Sequence, residues 1–166
     1  MCMESKKIVI IRHAKSSWEF NLPDQERPLS DRGIKDAGIV SNYLKENFEI
    51  PDIVYSSPAK RALNTCHIFL SVLNISSDKL AVVSELYDFD GNKVINFMKS
   101  LNNKYKNVMI FGHNHAFTSI SNIFGDKFID NLPTSGVVVI NFNTNDWKKI
   151  DKGKTELLIF PKQFKK

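Results

Sequence analysis

Short apolar runs alternate with segments of helical period along most of this chain. The runs at residues 7–11, 52–55, 80–83, 108–111, 137–141 and 156–159 have the length and composition of buried strands. The segments between them repeat apolar residues at spacings of three and four, which is typical of helices packed on one side. Strands that alternate with helices predict an α/β fold, in which a mostly parallel sheet carries helices on its faces.

The same periodicity predicts four helices. The first begins with Ser30 as N-cap and ends before Pro51. The second begins with Ser57 as N-cap and Pro58 at its first helical position, so that Arg61 lies in its first turn. The third follows residue 90 and the fourth follows residue 114. The apolar faces comprise Ile34, Ala37, Val40, Leu44 and Phe48, then Ala62, Cys66, Phe69 and Leu73, then Val94, Met98 and Leu101, and finally Phe117, Ile120 and Phe124.

Length and composition are those of one ordinary globular domain spanning residues 1–166. Hydrophobic residues make up 42% of the chain and charged residues 25%, which is close to average usage. Every apolar run is far shorter than the roughly 20 residues that cross a bilayer, and the run near the start is too short for a secretory signal. We therefore expect a cytoplasmic protein with no membrane partner. Two cysteines give no disulfide framework or metal-ligand spacing, and Cys66 is predicted to be a small buried apolar residue.

The net charge of +5 comes from the C-terminal segment. Residues 147–166 contain seven lysines against one aspartate and one glutamate, which accounts for the whole excess. A solvated lysine-rich tail explains this pattern, and the alternative is contact with a phosphate-rich partner. No basic stripe interleaved with aromatic residues accompanies it, so we expect no nucleic-acid partner.

Two histidines follow strand-like runs directly. Arg12 and His13 come after the run at 8–11, and Gly112, His113 and Asn114 come after the run at 108–111. Ligands of α/β sheets bind outside the carboxyl ends of the strands. We therefore expect both imidazoles at one sheet edge, beside Arg61 in the first turn of a helix.

These residue types suit phosphoryl transfer. A neutral imidazole is a competent nucleophile toward phosphorus when a hydrogen bond fixes its tautomer, which is the role predicted for His13. Guanidinium groups match the oxygens of a transferring phosphoryl group in a bidentate manner, so Arg12 and Arg61 are the predicted clamps. The helix start beside Arg61 already favours an anion. His113 is placed to donate a hydrogen bond to a phosphoryl oxygen.

Four segments, taken together, resemble the histidine phosphatase (phosphoglycerate mutase-like) superfamily, and within it the short SixA-like phosphohistidine phosphatases. The segments are 11–16 (IRHAKS), 26–33 (ERPLSDRG), 56–62 (SSPAKRA) and 111–114 (FGHN), in the order of the family, and the resemblance covers nearly the whole chain. It implies a three-layer α/β/α sandwich, a covalent phosphohistidine on His13, no metal and no cofactor. It also implies a phosphate pocket of Arg12, Arg61 and His113, to which we add Ser16 and Asn114 from the same segments.

The chain departs from the usual family pattern at three points. Ala14 replaces the glycine that commonly follows the nucleophile, which costs little if the backbone there is not left-handed. His115 stands where proline is usual, either as a second imidazole near the pocket or as part of the first helical turn. Glu85 resembles the acid that protonates the leaving group in many members, and its alternative role is that of a rim carboxylate.

The substrate class follows from the leaving group and the short chain. The imidazole of a phosphohistidine leaves more readily than an alkoxide and needs less help from an acid. A small chain with few insertions favours an accessible site, which suits a phosphorylated protein better than an enclosed metabolite. We therefore expect a phosphohistidine or another exposed protein phosphate. The alternatives are a small phosphate ester, a mutase, or a module that binds phosphorylated ligands without catalysis.

Four further points concern a metal site, two residues of one loop and the oligomeric state. A metal site at His113 and His115 is disfavoured, because histidines at i and i+2 point in different directions. Residues 16–29 lack a clear period, and Trp18 in that loop either forms a wall of the site or fills a gap beneath it. The role of Arg27 in the same loop is not assigned. The oligomeric state is undetermined by the sequence, although we favour a monomer.

Overall fold

A computed structural model describes residues 5–165, and within them six strands and four helices. The strands are β1 Lys6–Arg12, β2 Ile53–Ser56, β3 Leu80–Val82, β4 Asn107–Gly112, β5 Val137–Phe142 and β6 Lys154–Ile159. The helices are α1 Asp31–Leu44, α2 Lys60–Leu73, α3 Asn92–Lys99 and α4 Ala116–Phe124. All six predicted strands and all four predicted helices are therefore confirmed.

The strands form one mixed sheet in the order β3-β2-β4-β1-β5-β6. The neighbours β3, β2, β4 and β1 are parallel, whereas β5 runs antiparallel to both β1 and β6. Arg12 at the end of β1 pairs with Gly112 at the end of β4, and Ser56 at the end of β2 pairs with Phe111. The segments that follow β1, β2 and β4 consequently leave the sheet side by side at its carboxyl edge.

Each face of the sheet carries its own apolar core. Alternate residues of β1 and β4 point to opposite faces, as the period of two in a strand requires. One core packs the sheet against α3 and α4, and the other packs it against α1 and α2. Both faces are covered, so the fold is the three-layer α/β/α sandwich that the resemblance implied. Cys66 lies in the second core, where burial raises the pKa of its thiol to about 12.

The start of α1 agrees with the sequence. The Ser30 hydroxyl accepts a hydrogen bond from the backbone N–H of Gly33 at 3.0 Å, which is the predicted N-cap. Ala37, Val40 and Leu44 are buried as expected. Ile34 is 50% exposed, because it lines a shallow surface groove beside α2 rather than the sheet.

The predicted start of α2 is wrong by two residues. Its N-cap is Ala59 rather than Ser57, and the helix begins at Lys60. The Ser57 hydroxyl instead accepts a hydrogen bond from the N–H of Ala59 at 3.2 Å, which closes a tight turn before the helix. Arg61 keeps its predicted place in the first turn, and the apolar stripe of α2 is buried as predicted.

No helix within residues 5–165 has both the length and the apolar character needed to cross a bilayer. The lysine-rich end is partly tied to the body of the protein. The ammonium of Lys165 lies 3.1 Å from a carboxylate oxygen of Asp36 on α1, and the ring of Phe164 lies 4.9 Å from that of Tyr43.

Candidate active site

The ends of β1 and β4 bring the two predicted imidazoles together. The backbone N–H of His13 donates to the carbonyl of Gly112 at 3.0 Å, which extends the β1–β4 pairing one residue beyond the strand. The ring centroids of His13 and His113 are 5.3 Å apart at an interplanar angle of 54°. His13 is 8% exposed and His113 only 1%, so both rings lie below the protein surface.

The surroundings of His13 fix its tautomer. Its Nδ1 lies 2.7 Å from the carbonyl oxygen of Ala14. A carbonyl oxygen only accepts, so Nδ1 carries the ring proton and Nε2 keeps its lone pair. Burial, together with the charges of Arg61, Arg12 and Arg27, lowers the pKa of His13 to about 3 despite the opposing effect of the Ala14 carbonyl, so the ring is neutral near pH 7. A neutral imidazole with an unprotonated Nε2 is the form that attacks phosphorus.

The backbone around His13 is tied to α2. The N–H of Ala14 donates to the Thr65 hydroxyl at 2.8 Å, and that hydroxyl donates to the carbonyl of Arg61 at 2.7 Å. Non-glycine residues with positive φ within residues 5–165 are Asn74 and Ser135, so Ala14 does not adopt the left-handed conformation. The condition under which alanine replaces the usual glycine at little cost is met.

Arg12 and Arg61 lie beside the imidazoles, and part of each guanidinium donates hydrogen bonds to protein oxygens. Arg12 donates to the carbonyl of Leu132 at 2.8 Å. Arg61 donates to the backbone carbonyl of Asp24 at 2.7 Å and to its carboxylate at 3.0 Å. Burial, and then the neighbouring charge of Arg61, lower the pKa of Arg12, which reflects two cations held close together.

A third arginine, Arg27, belongs to the same group and was not assigned from the sequence. It is 7% exposed, and its guanidinium carbon lies 3.6 Å from the ring centroid of Trp18. Its charge contributes to lowering the pKa of His13. Arg27 lies within the 26–33 segment, but only the folding of the 16–29 loop onto α2 shows that it faces the imidazoles.

Trp18 is 79% exposed, so it does not fill a gap beneath the loop. That alternative is wrong, because the ring lies on the outer side of Arg27 and leaves most of its surface in solvent.

His113 is enclosed by aromatic rings and one hydroxyl. Its ring centroid lies 5.2 Å from that of Tyr87 and 5.0 Å from that of Phe89, and its Nε2 lies 2.8 Å from the hydroxyl oxygen of Ser57. Burial, followed by the nearby groups His13 and Arg61, lowers the pKa of His113 to about 2. This ring is therefore also neutral near pH 7.

Several buried hydrogen-bond donors in this group have no acceptor among the described residues. They are Nε of Arg12, Nε of Arg61, Nε and one terminal nitrogen of Arg27, and Nδ1 of His113. A buried donor without a partner costs about 1–3 kcal/mol, and donors of this kind bind oxyanions through charge-assisted hydrogen bonds. We name this cluster of buried donors around His13 the anion hollow.

One carboxylate lies at the anion hollow, and it was also missed from the sequence. Asp24 accepts hydrogen bonds from Arg61 and from the Tyr87 hydroxyl, the latter at 2.5 Å, and it lies 3.4 Å from Arg27. These contacts hold the pKa of Asp24 below its usual value despite some burial, so the group is ionised. The contact with Arg61 spans 37 residues of sequence, and no local pattern signals it.

The remaining predicted site residues, Asn114, Glu85 and Ser16, have the following contacts. The carboxamide oxygen of Asn114 accepts from the N–H and hydroxyl of Thr118 at 3.0 and 2.7 Å, and its nitrogen donates to Asn131 at 2.7 Å. Glu85 is exposed and accepts from the Ser84 hydroxyl at 3.0 Å. Ser16 pairs with Leu29 in an isolated β-bridge.

His115 is exposed, unlike its neighbour His113. Within residues 5–165, no group of three or more His, Cys, Asp or Glu side chains is arranged to hold a metal ion.

Two strand ends, two neutral imidazoles and several unpartnered guanidinium nitrogens come together at the carboxyl edge of an α/β sheet. The chain belongs to the histidine phosphatase superfamily (branch 1), whose family model matches residues 8–90, half of the sequence. An uncharacterized protein of Mycobacterium tuberculosis is 26% identical over 161 residues, which cover 90% of this chain and 98% of that protein.

Solved structures show the same fold. The protein histidine phosphatase SixA complexed with tungstate superposes with a TM-score of 0.80 at 22% identity, covering 96% of this chain and 99% of SixA. A phosphoglycerate mutase from Bacillus anthracis gives a TM-score of 0.61 at 16% identity, covering 89% and 96% of the two chains. The fold of this chain is therefore that of SixA-like histidine phosphatases.

Proposed function

We propose that this protein is a metal-independent phosphatase that forms a covalent phosphohistidine on His13. The observation that carries the proposal is the combination of a fixed Nε2 lone pair on His13 with unpartnered buried donors from Arg12, Arg27, Arg61 and His113. A nucleophile surrounded by donors for an oxyanion matches the needs of phosphoryl transfer, where positioning and charge stabilisation supply most of the catalysis.

In the first step, Nε2 of His13 attacks phosphorus and forms a P–N bond. The bond from phosphorus to the leaving group breaks, and the leaving group keeps the electron pair and takes a proton from solvent. Nδ1 keeps its proton, which it donates in a hydrogen bond to the carbonyl of Ala14, so the phosphorylated ring is positively charged. Arg12 and Arg61 offset the negative charge that spreads over the three phosphoryl oxygens.

In the second step, a water oxygen attacks phosphorus and the P–Nε2 bond breaks. The electron pair of that bond returns to Nε2, and the water releases one proton to solvent or to the departing phosphate. A positively charged ring is a good leaving group, and the Nδ1 proton held by Ala14 maintains that charge. The products are inorganic phosphate and the neutral imidazole with which the cycle began.

A phosphohistidine on a protein, or another exposed protein phosphate, is the substrate class that we favour. Glu85, the residue that resembles the family acid, is exposed and accepts a hydrogen bond from Ser84. A leaving group that needs little protonation suits a site in which this carboxylate is exposed and accepts a hydrogen bond from its neighbour. Two aromatic residues beside the anion hollow, Trp18 and Phe89, are 79% and 48% exposed, which leaves apolar surface for a macromolecular substrate.

The first experiment tests the nucleophile with ³²P-labelled substrate. We expect brief mixing to leave acid-labile, base-stable label on the wild-type chain, and His13→Ala to abolish both label and turnover of an aryl phosphate. His67→Ala is the matched control, because His67 is exposed on α2 and belongs to a separate groove. EDTA should leave the wild-type rate unchanged. Full turnover by His13→Ala would refute the proposal.

The second experiment separates the substrate classes. A phosphohistidine protein, an aryl phosphate and a sugar phosphate are assayed side by side, and we expect the highest kcat/KM for the phosphohistidine protein. A preference for the sugar phosphate would indicate a small-molecule phosphomonoesterase. Binding of all three without turnover or covalent label would indicate a module that binds phosphorylated ligands without catalysis.

A further inference from the structure

Ser57 is a buried residue whose contacts differ from those of a helix cap. It is fully buried directly after β2, and its backbone N–H donates to the carbonyl of Phe111 at 3.0 Å. Its hydroxyl oxygen has two hydrogen-bond partners among the described residues, the N–H of Ala59 at 3.2 Å and Nε2 of His113 at 2.8 Å. The hydroxyl thus joins the turn before α2 to the second imidazole.

The position of the hydroxyl proton follows from those two partners. The N–H of Ala59 brings its own proton, so Ser57 accepts in that contact. The hydroxyl then has one acceptor within reach in the described part of the chain, which is Nε2 of His113. Donation to Nε2 requires that this nitrogen carry a lone pair, and a neutral ring must then carry its proton on Nδ1.

The other ring nitrogen of His113 lacks a partner. Nδ1 is buried and forms no hydrogen bond with any described residue. A protonated Nδ1 in this position is a buried hydrogen-bond donor without an acceptor, as are Nε of Arg12 and Nε of Arg61. His13 is held in the same Nδ1–H tautomer, but there the carbonyl of Ala14 accepts the Nδ1 proton, so the nitrogen left for a ligand is Nε2 with its lone pair.

We propose that Ser57 is a positioning residue that fixes His113 as the Nδ1–H tautomer, so that this neutral imidazole donates a hydrogen bond to the transferring phosphoryl group. The proposal rests on the proposed function for its kinetic consequence, but the tautomer itself is independent of any turnover. Two neutral histidines 5.3 Å apart then have complementary roles, since one presents a lone pair and the other presents a proton.

The tautomers are measured directly by NMR on the protein without substrate, labelled with ¹⁵N at histidine. The long-range ¹H–¹⁵N correlation pattern of each ring shows which nitrogen carries the proton. We expect the Nδ1–H pattern for both His113 and His13 in the wild type. An Nε2–H pattern for His113 would overturn the proposal, whether or not the protein proves to be a phosphatase.

Kinetics on variants test the consequence. Ser57→Ala should lower kcat about tenfold with KM changed less than threefold, because a mixed tautomer weakens the donor without removing the ring. Ser57→Thr keeps the hydroxyl and should recover most of kcat. Ser56→Ala is the matched control, since it removes a fully buried hydroxyl from the same strand end that bonds to the Ser57 carbonyl at 3.0 Å.

Each result decides the question. An equal loss of kcat in Ser56→Ala and Ser57→Ala would assign Ser57 a merely structural role and overturn the proposal. Retention of the wild-type kcat and of the Nδ1–H pattern in Ser57→Ala would also overturn it. If Ser57→Thr fails to fold, the wild-type NMR pattern and the comparison of the two alanine variants still test the tautomer.

Discussion

Replacement of Arg61 by lysine tests whether the guanidinium geometry, rather than its charge, binds the oxyanion. Arg61 is 2% exposed, and its Nε is one of the buried donors without a partner. Lysine keeps the positive charge but loses Nε and the planar fork, so the variant loses at least one charge-assisted hydrogen bond to a bound anion. Such a bond contributes about 1.5–3 kcal/mol, which corresponds to roughly 10- to 150-fold in Kd.

Tungstate is a suitable probe, because it is tetrahedral and is not hydrolysed. We expect isothermal titration calorimetry to give a Kd at least about tenfold weaker for Arg61→Lys than for the wild type. Thermal unfolding with saturating tungstate provides a second readout, since a ligand at 100 times its Kd stabilises the folded state by about 2.7 kcal/mol. The variant should lose about half or more of that gain at the same tungstate concentration.

The matched control is Arg32→Lys, which makes the same change on the exposed face of α1. The side chain of Arg32 is 65% exposed, and its Nε lies 3.7 Å from a carboxylate oxygen of Asp36. It should bind tungstate like the wild type. An unchanged tungstate Kd in Arg61→Lys would show that the unpartnered Nε does not face the ligand, and the anion hollow as we define it would be wrong.

Two further predictions concern titration and charge. The pKa of His13 is lowered from 6.5 to about 3 in the folded protein. Between pH 6.5 and pH 3, the unfolded chain therefore binds a proton at this residue that the folded protein does not bind. The free energy of unfolding consequently falls as pH drops from 6.5 toward 3. The cost between pH 6.5 and 4.5 should be about 2 kcal/mol. Urea unfolding of His13→Asn should therefore show a shallower dependence of stability on pH than the wild type, and an equal dependence in the two proteins would contradict the lowered pKa of His13. Asp24→Asn removes a carboxylate that competes with the ligand for the guanidinium of Arg61. A half-exposed ion pair contributes about 1 kcal/mol or less, so this variant should bind tungstate up to about fivefold more tightly than the wild type. Glu26→Gln in the same turn is the control for that variant, and weaker tungstate binding by Asp24→Asn would show that Asp24 orients Arg61 rather than competing for it.

The parts of the site that the sequence predicts are those fixed by local periodicity. His13 and His113 each follow an apolar run directly, and parallel strands necessarily bring their carboxyl ends to one edge. Arg61 lies in the first turn of α2 as predicted, although the predicted start of the helix is wrong by two residues, because a helical turn is longer than that shift. Local pattern was sufficient wherever the backbone alone sets the position of a side chain.

Other parts depend on long-range packing and could not be predicted in this way. Arg27 and Asp24 reach the anion hollow because the 16–29 loop folds against α2, and that loop has no period of its own. Ser57 precedes a proline in a sequence typical of an N-cap, yet its hydroxyl contacts a histidine 56 residues away. Asn114 sits beside His113 in sequence, but its carboxamide is taken by Thr118 at the start of α4.

The histidines of the anion hollow and the carboxylate of Asp24 beside it are held by interactions of different strength, and this difference determines how substitutions should act. His13 lies on backbone that continues the β-ladder, and His113 directly follows β4 with its carbonyl bound by the N–H of Phe117. Both residues are at least nine-tenths buried, so the protein cannot easily move them. Asp24 lies on a short turn, and its side chain is 47% exposed, so its ion pairs are screened by solvent. Changes on the strand ends should therefore abolish phosphoryl transfer, whereas changes to the charge of the loop should tune anion affinity. The sheet thus determines the chemistry of the site, and the loop adjusts the affinity of the site for an anion.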